Sequence, residues 1–105
     1  MNYNLQHIPV KEIMPGYHAK MIHGEKLSIA YWNVEKGAQV PEHSHEHEQV
    51  MQVLEGQFEF TVDGVTKIYN PNDVVVIPSF AVHSGKALTA CKLMDVFSPV
   101  REEYK

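Results

Sequence analysis

The sequence predicts an all-β fold in one domain, a sandwich or small barrel, and three observations predict it. Apolar residues recur mostly with a period of two, the repeat of a strand that buries one face. Turn signals break the chain at short intervals: Asp63-Gly64, Asn70-Pro71-Asn72-Asp73, and Gly56 and Gly85. No segment carries a helical apolar stripe together with caps. Short strands joined by tight turns are the pattern of sandwiches and barrels.

The elements follow from local composition. The first twenty residues read either as an edge strand or as a short helix, and Asn2 to Val10 is the expected edge segment. Leu27 to Val34 and Gln49 to Leu54 read as strands. In Gln57-Phe58-Glu59-Phe60-Thr61-Val62 apolar and polar residues alternate. Asp63-Gly64 is then a two-residue hairpin turn, because both of its positions tolerate positive φ. Val65 to Tyr69 is the return strand. Val74-Val75-Val76-Ile77 is apolar at every position, which predicts a strand buried on both faces; Pro78 closes it. Ala90 to Phe97 is the last strand, ended by Ser98-Pro99.

The 105 residues predict one domain, 1–105, burying roughly 60–70% of its unfolded surface. With 44% hydrophobic and 21% charged residues the composition is that of a globular chain, not a disordered one. A formal charge of −4 argues against a nucleic-acid partner, since phosphate recognition needs a basic face. No stretch approaches the roughly 20 apolar residues of a membrane span, and the N-terminus lacks signal-peptide architecture. A cytoplasmic protein without a membrane partner is therefore expected. The single cysteine, Cys91, excludes an internal disulfide and a CxxC site.

Chemistry concentrates in His43-Ser44-His45-Glu46-His47-Glu48-Gln49, where three of the seven histidines fall within five positions. Neutral imidazole is the commonest metal-binding side chain, and an amide oxygen can complete its shell. Residues two apart on a strand share a face, so His43 and His45 are expected to point together. Fully extended, residues 43–49 would span about 20 Å, so the chain must turn before Gln49 can join them. That reach limit makes His47 a neighbour of the site, not a ligand. His83, from a later strand, supplies the fourth donor. The expected ligands are His43, His45, Gln49 and His83, around one divalent transition metal. Nitrogen-rich donors suit Ni, Zn, Fe, Mn or Co and disfavour Mg and Ca.

The spacing Gly37-x5-His43-x-His45-x3-Gln49-x6-Gly56 resembles the first motif of the cupins, with glutamine where glutamate is usual. Asn72-x5-Pro78-x4-His83 is similar to the second motif, with asparagine and phenylalanine for its glycines and Ala87 for its final asparagine. The resemblance implies a cupin double-stranded β-helix, a jelly-roll barrel of six to eight strands with the metal inside its mouth and the motifs within residues 37–87. Gln49 then matters physically. Without a carboxylate the site keeps its full 2+ charge, which favours anion capture and polarisation over oxygen chemistry.

In Cys91-Lys92-Leu93-Met94-Asp95-Val96-Phe97 the odd positions share one face, placing Asp95 among apolar residues. A buried carboxylate is costly unless paired or used in proton transfer. Arg101 follows closely enough to fold over the mouth, and its planar fork suits a carboxylate. Two readings stay open on physics alone: a structural Asp95–Arg101 ion pair or an exposed arginine, against an acid/base with an anion clamp.

These residues, with Val53-Leu54-Glu55-Gly56 and Asp95-Val96-Phe97-Ser98-Pro99, resemble the small cupins of the pectin-degradation protein KdgF group. That resemblance implies ring opening of 4,5-unsaturated monouronates, from pectin or alginate breakdown, to linear keto-sugar acids. It assigns Asp95 and Arg101 to catalysis and Phe97 and Arg101 to substrate binding, with an anionic sugar as partner. The alternatives are a noncatalytic sugar-acid-binding cupin and a metal-dependent dioxygenase. A hexose-phosphate isomerase is disfavoured because no phosphate-binding loop is present. A homodimer is expected, since a small barrel with an exposed edge needs cover.

Overall fold

A computed structural model describes all residues, 1–105, as ten strands and two single 3-10 turns. The strands are β1 Lys11–Met14, β2 Tyr17–His23, β3 Ser28–Val34, β4 Gln39–His43, β5 Glu48–Glu55, β6 Phe58–Val62, β7 Val65–Tyr69, β8 Val74–Ile77, β9 His83–Ala87 and β10 Cys91–Ser98. They form a six-stranded sheet, in the order β1-β2-β3-β10-β5-β8, facing a four-stranded sheet, β4-β9-β6-β7. Every pairing is antiparallel. This is the expected jelly-roll, with ten strands where six to eight were predicted; β1 and β2 add to one edge of the larger sheet.

The alternating segments behave as predicted. Phe58 and Phe60 on β6, and Cys91, Leu93 and Phe97 on β10, are buried, while Lys92 between them is exposed. Asp63 and Gly64 both adopt positive φ, 47° and 81°, as a turn matched to strand twist requires. Between the sheets lies one core that includes Trp32, Met51, Val53, Phe58, Ile77 and Leu93.

Three expectations need correction, and two strands had no counterpart among them. Asn2 to Val10 forms no strand; it holds a 3-10 turn, Leu5–His7, capped by the Asn4 side chain. The outer edge there is β1 instead. Val74 to Ile77 is not buried on both faces: Val74 and Val76 are exposed, because they project with Gln52 and Val50 from the outer face of the sheet, which nothing in the chain covers. His43 and His45 do not share a strand face, since β4 ends at His43 and His45 lies in the following loop. Finally, β4 and β9 carry no legible strand pattern. β4 contains Pro41, tolerated because β4 is an edge strand with an irregular register between Val40 and His43. The inward positions of β9 are His83, Gly85 and Ala87. A Cβ on Gly85 would come within 2.5 Å of the Phe58 ring, so small size, not hydrophobicity, fits this strand to its partners.

Candidate metal centre and substrate cavity

His43 and His83 face each other directly across the β4–β9 pair, with ring centroids 4.2 Å apart. His45 enters from the loop, its ring 5.5 Å from His43 and 4.8 Å from His83. The loop is tied to the β8–β9 connection by a 2.7 Å bond from the Phe80 N–H to the His45 carbonyl. Phe80 itself has φ of 64°, a strained conformation for a bulky residue. The three side chains bring one ligating atom each within 4.8 Å of one another.

Hydrogen bonds fix which nitrogen each imidazole presents. His43 Nδ1 lies 2.8 Å from the Pro41 carbonyl, His45 Nδ1 3.0 Å from that of His47, and His83 Nδ1 2.8 Å from that of Ala81. A carbonyl only accepts, so each Nδ1 carries the proton and each Nε2 keeps its lone pair. Burial, together with the positive charge of Arg101, lowers the His45 pKa to about 4. Burial also lowers that of His83. Both are neutral, and so able to bind a cation, near pH 7.

Gln49, at the start of β5, reaches the same cavity from the opposite sheet. Its amide Nε2 donates to Asp95 Oδ1 at 2.9 Å, which turns Oε1 away from the carboxylate. Gln49 Oε1 and His45 Nε2 are both buried and have no hydrogen-bond partner. A buried polar atom left unmatched costs about 1–3 kcal/mol, and a divalent cation held by three imidazoles and this oxygen offsets the cost. The donor set fits the expected metal. Which transition metal is held is not fixed by nitrogen and neutral oxygen donors alone.

His47 has both ring nitrogens engaged elsewhere. Arg101 Nη1 donates to its Nδ1 at 3.5 Å, so its Nε2 carries the proton and donates to the Val100 carbonyl at 3.1 Å. It supports the C-terminal segment and presents no free lone pair to the cavity.

Asp95 sits at the middle of β10, opposite Ala30 on one side and Met51 on the other. It is 6% exposed. Its second oxygen accepts from the Trp32 indole Nε1 at 2.8 Å. Burial pushes its pKa up to about 6; the bonds from Gln49 and Trp32 and the charge of Arg101 oppose that rise without cancelling it.

The suggested Asp95–Arg101 ion pair does not form. Arg101 pairs with Glu103 at 2.8 Å and donates from Nη2 to the Tyr104 hydroxyl at 3.0 Å. Its guanidinium carbon lies 4.4 Å from the Tyr104 ring centroid and 5.1 Å from that of Phe97. Its backbone N–H donates to the fully buried Ser28 hydroxyl. Arg101 is thus neither an exposed tail residue nor neutralised from below; its partner Glu103 lies on the solvent side.

The imidazoles, Gln49, Asp95, Phe97 and Arg101 all line one small cavity, with about 50 Å³ of space open to water. The walls also include Trp32, Tyr17 and Tyr104, which sequence reasoning did not single out. Trp32 is the chain's only tryptophan and alternates with Ala30 and Val34 on β3. That pattern marks it as buried, but its acceptor is 63 positions away.

The cupin domain family model matches residues 30–97, so the chain belongs to the cupin family. Its structure is similar to that of an RmlC-like cupin from Shewanella frigidimarina, with TM-score 0.91 and 32% identity over 95% of this chain and 91% of that one. It is also similar to KdgF from Halomonas sp., with TM-score 0.90 and 29% identity over 98% and 96% of the two chains. Salicylate 1,2-dioxygenase from Pseudoaminobacter salicylatoxidans shares the fold, at TM-score 0.77 and 23% identity over 83% of this chain and 27% of that one. No curated protein matches the chain. No helix is long and apolar enough to cross a membrane.

Proposed function

We propose that this member of the cupin family opens the ring of 4,5-unsaturated monouronates, with a divalent metal at His43, His45, Gln49 and His83. The observation that carries the proposal is Asp95, a carboxylate buried beside the ligand amide and raised to a pKa of about 6. A proton-transfer group works best with a pKa near the working pH. Likeness to KdgF from Halomonas sp. over 98% of the chain supports the substrate class.

The chain's own residues divide the work. When bound, the metal supplies Lewis-acid stabilisation of the enolate that develops as the ring opens. Arg101 holds the substrate carboxylate, which exchanges with Glu103 at the guanidinium. Each Asp95 oxygen accepts one hydrogen bond and keeps a second lone pair. Asp95 takes the anomeric hydroxyl proton as the hemiacetal C–O bond breaks, then assists reprotonation of the enol at carbon. Phe97 and Tyr104 limit water at the clamp.

One observation favours a second reading, a noncatalytic sugar-acid binder. Both Asp95 oxygens already accept protein hydrogen bonds, as they would if the carboxylate only oriented Gln49. Lyase-generated unsaturated monouronates, followed by loss of their ultraviolet absorbance, separate the two. Metal-dependent loss of absorbance is expected. Saturable binding without it would sink the enzymatic reading and leave the binder. Oxygen consumption with bound Fe(II) would point to a dioxygenase instead.

A further inference from the structure

We propose that Ser28 and His47 are positioning residues for Arg101: they lock the peptide that precedes it and so aim its guanidinium into the cavity. Six polar or charged side chains are buried: Ser28, His47, Gln49, His83, Asp95 and Arg101. Four of them line the cavity. Ser28 and His47 do not, yet both bond to one peptide group, the one between Val100 and Arg101.

The carbonyl of that peptide accepts from His47 Nε2 at 3.1 Å, and its N–H donates to Ser28 Oγ at 2.9 Å. The same carbonyl also accepts from the Glu102 N–H at 3.0 Å. In a trans peptide the carbonyl and the N–H point in opposite directions, so the two side chains hold it from opposite sides. They come from different parts of the barrel: Ser28 opens β3, and His47 lies in the loop before β5. The Arg101 Cα lies in the plane of that peptide, so fixing the plane fixes the point from which the side chain leaves.

Ser28 is held in turn. Its hydroxyl has one proton to give, and its other polar partner is His23 Nδ1, at 2.7 Å. With the Arg101 N–H taking one lone pair, the hydroxyl proton goes to His23. Ser28 is fully buried, where a hydroxyl proton without an acceptor is costly.

Arg101 shows why this peptide needs such a hold. Its Nη1 and Nη2 reach Glu103 and Tyr104, two and three residues along the same segment. Its Nε is buried and has no partner. An arginine meets a carboxylate with parallel N–H groups in a fixed fork, and the free Nε–H is one of them. Nε is also the guanidinium nitrogen nearest the backbone, so its place depends most on where the side chain starts. His47 Nδ1, 3.5 Å from Arg101 Nη1, faces the same guanidinium.

The proposal rests on the reading of Arg101 as the anion clamp, and the test separates the two. The variants are Ser28→Ala, His47→Leu, His47→Gln, Arg101→Ala and the double variant His47→Leu with Arg101→Ala, each in the metal-loaded full chain. KM and kcat are measured with lyase-generated unsaturated monouronates, with metal content by elemental analysis and circular dichroism alongside. Ser28→Ala and His47→Leu should each raise KM about tenfold and leave kcat within about threefold, because the carboxylate carries the same charge before and during ring opening. Metal content should not change. His47→Gln, which keeps one donor and one acceptor, should recover most of the loss. In the Arg101→Ala background His47→Leu should add nothing, since it acts only through that side chain. If Ser28→Ala fails to fold, His47→Leu and its double variant decide. Unchanged KM in both single variants, a full additional loss in the double variant, or metal loss in His47→Leu would overturn the proposal. If Arg101→Ala itself leaves KM unchanged, the clamp reading falls and the proposal with it. If the wild-type chain turns over no monouronate, calorimetric binding of galacturonate replaces KM. Weaker binding in Arg101→Ala alone then overturns the positioning role; weaker binding in all three single variants upholds it.

Discussion

The four-stranded sheet and the loop leaving it bring three imidazoles to the cavity, whereas the six-stranded sheet brings an amide, a carboxylate and an indole. On the first wall every Nδ1 is bonded to backbone and the Nε2 lone pairs are left over. On the second wall the donors of Gln49 and Trp32 converge on one carboxylate, and the lone unpaired atom is the Gln49 oxygen. The first wall offers lone pairs that suit a cation; the second gathers donors on one buried carboxylate. The division teaches that Gln49 belongs to both, since Asp95 fixes the orientation in which its oxygen is left free.

Removing the central group of the second wall should have the largest effect. Asp95→Asn is expected to lower turnover by about 10²–10⁴-fold. An asparagine cannot accept from both Gln49 and Trp32, so metal affinity should also fall, by about 10–100-fold. Turnover assays and metal titration measure the two separately; near-wild-type turnover would remove Asp95 from the reaction. On the first wall, His83→Ala should abolish stoichiometric metal binding, read by elemental analysis, while circular dichroism stays that of a β-barrel. Full metal loading in that variant would place the metal elsewhere.

Trp32→Phe tests a smaller contribution. It keeps an aromatic ring but deletes the donor to Asp95 Oδ2, so the carboxyl should titrate higher still, since that bond lowers its pKa. The acidic limb of the pH–rate profile should move up, and activity near neutrality should fall about tenfold, one hydrogen bond to a charged group. An unmoved acidic limb would mean that the limb does not report Asp95.

The smallest effect is on the stability of the metal-free protein. The folded Asp95 pKa is raised, so the folded chain binds more protons than the unfolded one between about 4 and 6, and stability falls as pH rises through that window. His45 is shifted the other way, so stability rises with pH between about 4 and 6.5, and the lowered His83 acts in the same sense. Asp95 opposes the two histidines, so the midpoint of thermal unfolding should rise less steeply with pH than the histidines alone would make it. Asp95→Asn should steepen that rise by leaving the histidine slope unopposed; His45→Gln should flatten it, leaving Asp95 against His83 alone. Parallel profiles in both variants would refute the opposition.

How much of this was legible depended on what each residue does in its strand. Where a strand buries alternate apolar residues, as β6 and β10 do, the period of two shows directly. Where it serves the site, the pattern vanishes: β9 carries histidine, glycine and alanine inward, and Pro41 interrupts β4. The histidines and Gln49 were visible because they crowd a short stretch. Trp32, Ser28 and Tyr104 were not, since each acts through a partner brought near only by folding. Arg101 was visible, but the sign of its environment was not. The apolar run at β8 misled because hydrophobicity alone does not say how many faces of a strand are covered.

The position of Asp95 within the sheet has a consequence for how the protein opens. β10 is bonded to β3 on one side and β5 on the other over nearly its whole length. Arg101, six residues later, lies past the last ladder position, before a single 3-10 turn. Amide hydrogen exchange should therefore divide the cavity sharply. Protons along the centre of β10 exchange only through global unfolding, while those of Glu102 to Lys105 exchange through fraying of the chain end. The carboxylate proposed to handle the proton is held as rigidly as the core, whereas the proposed anion clamp, Arg101, lies next to the chain end, tied to the barrel by its bond to Ser28.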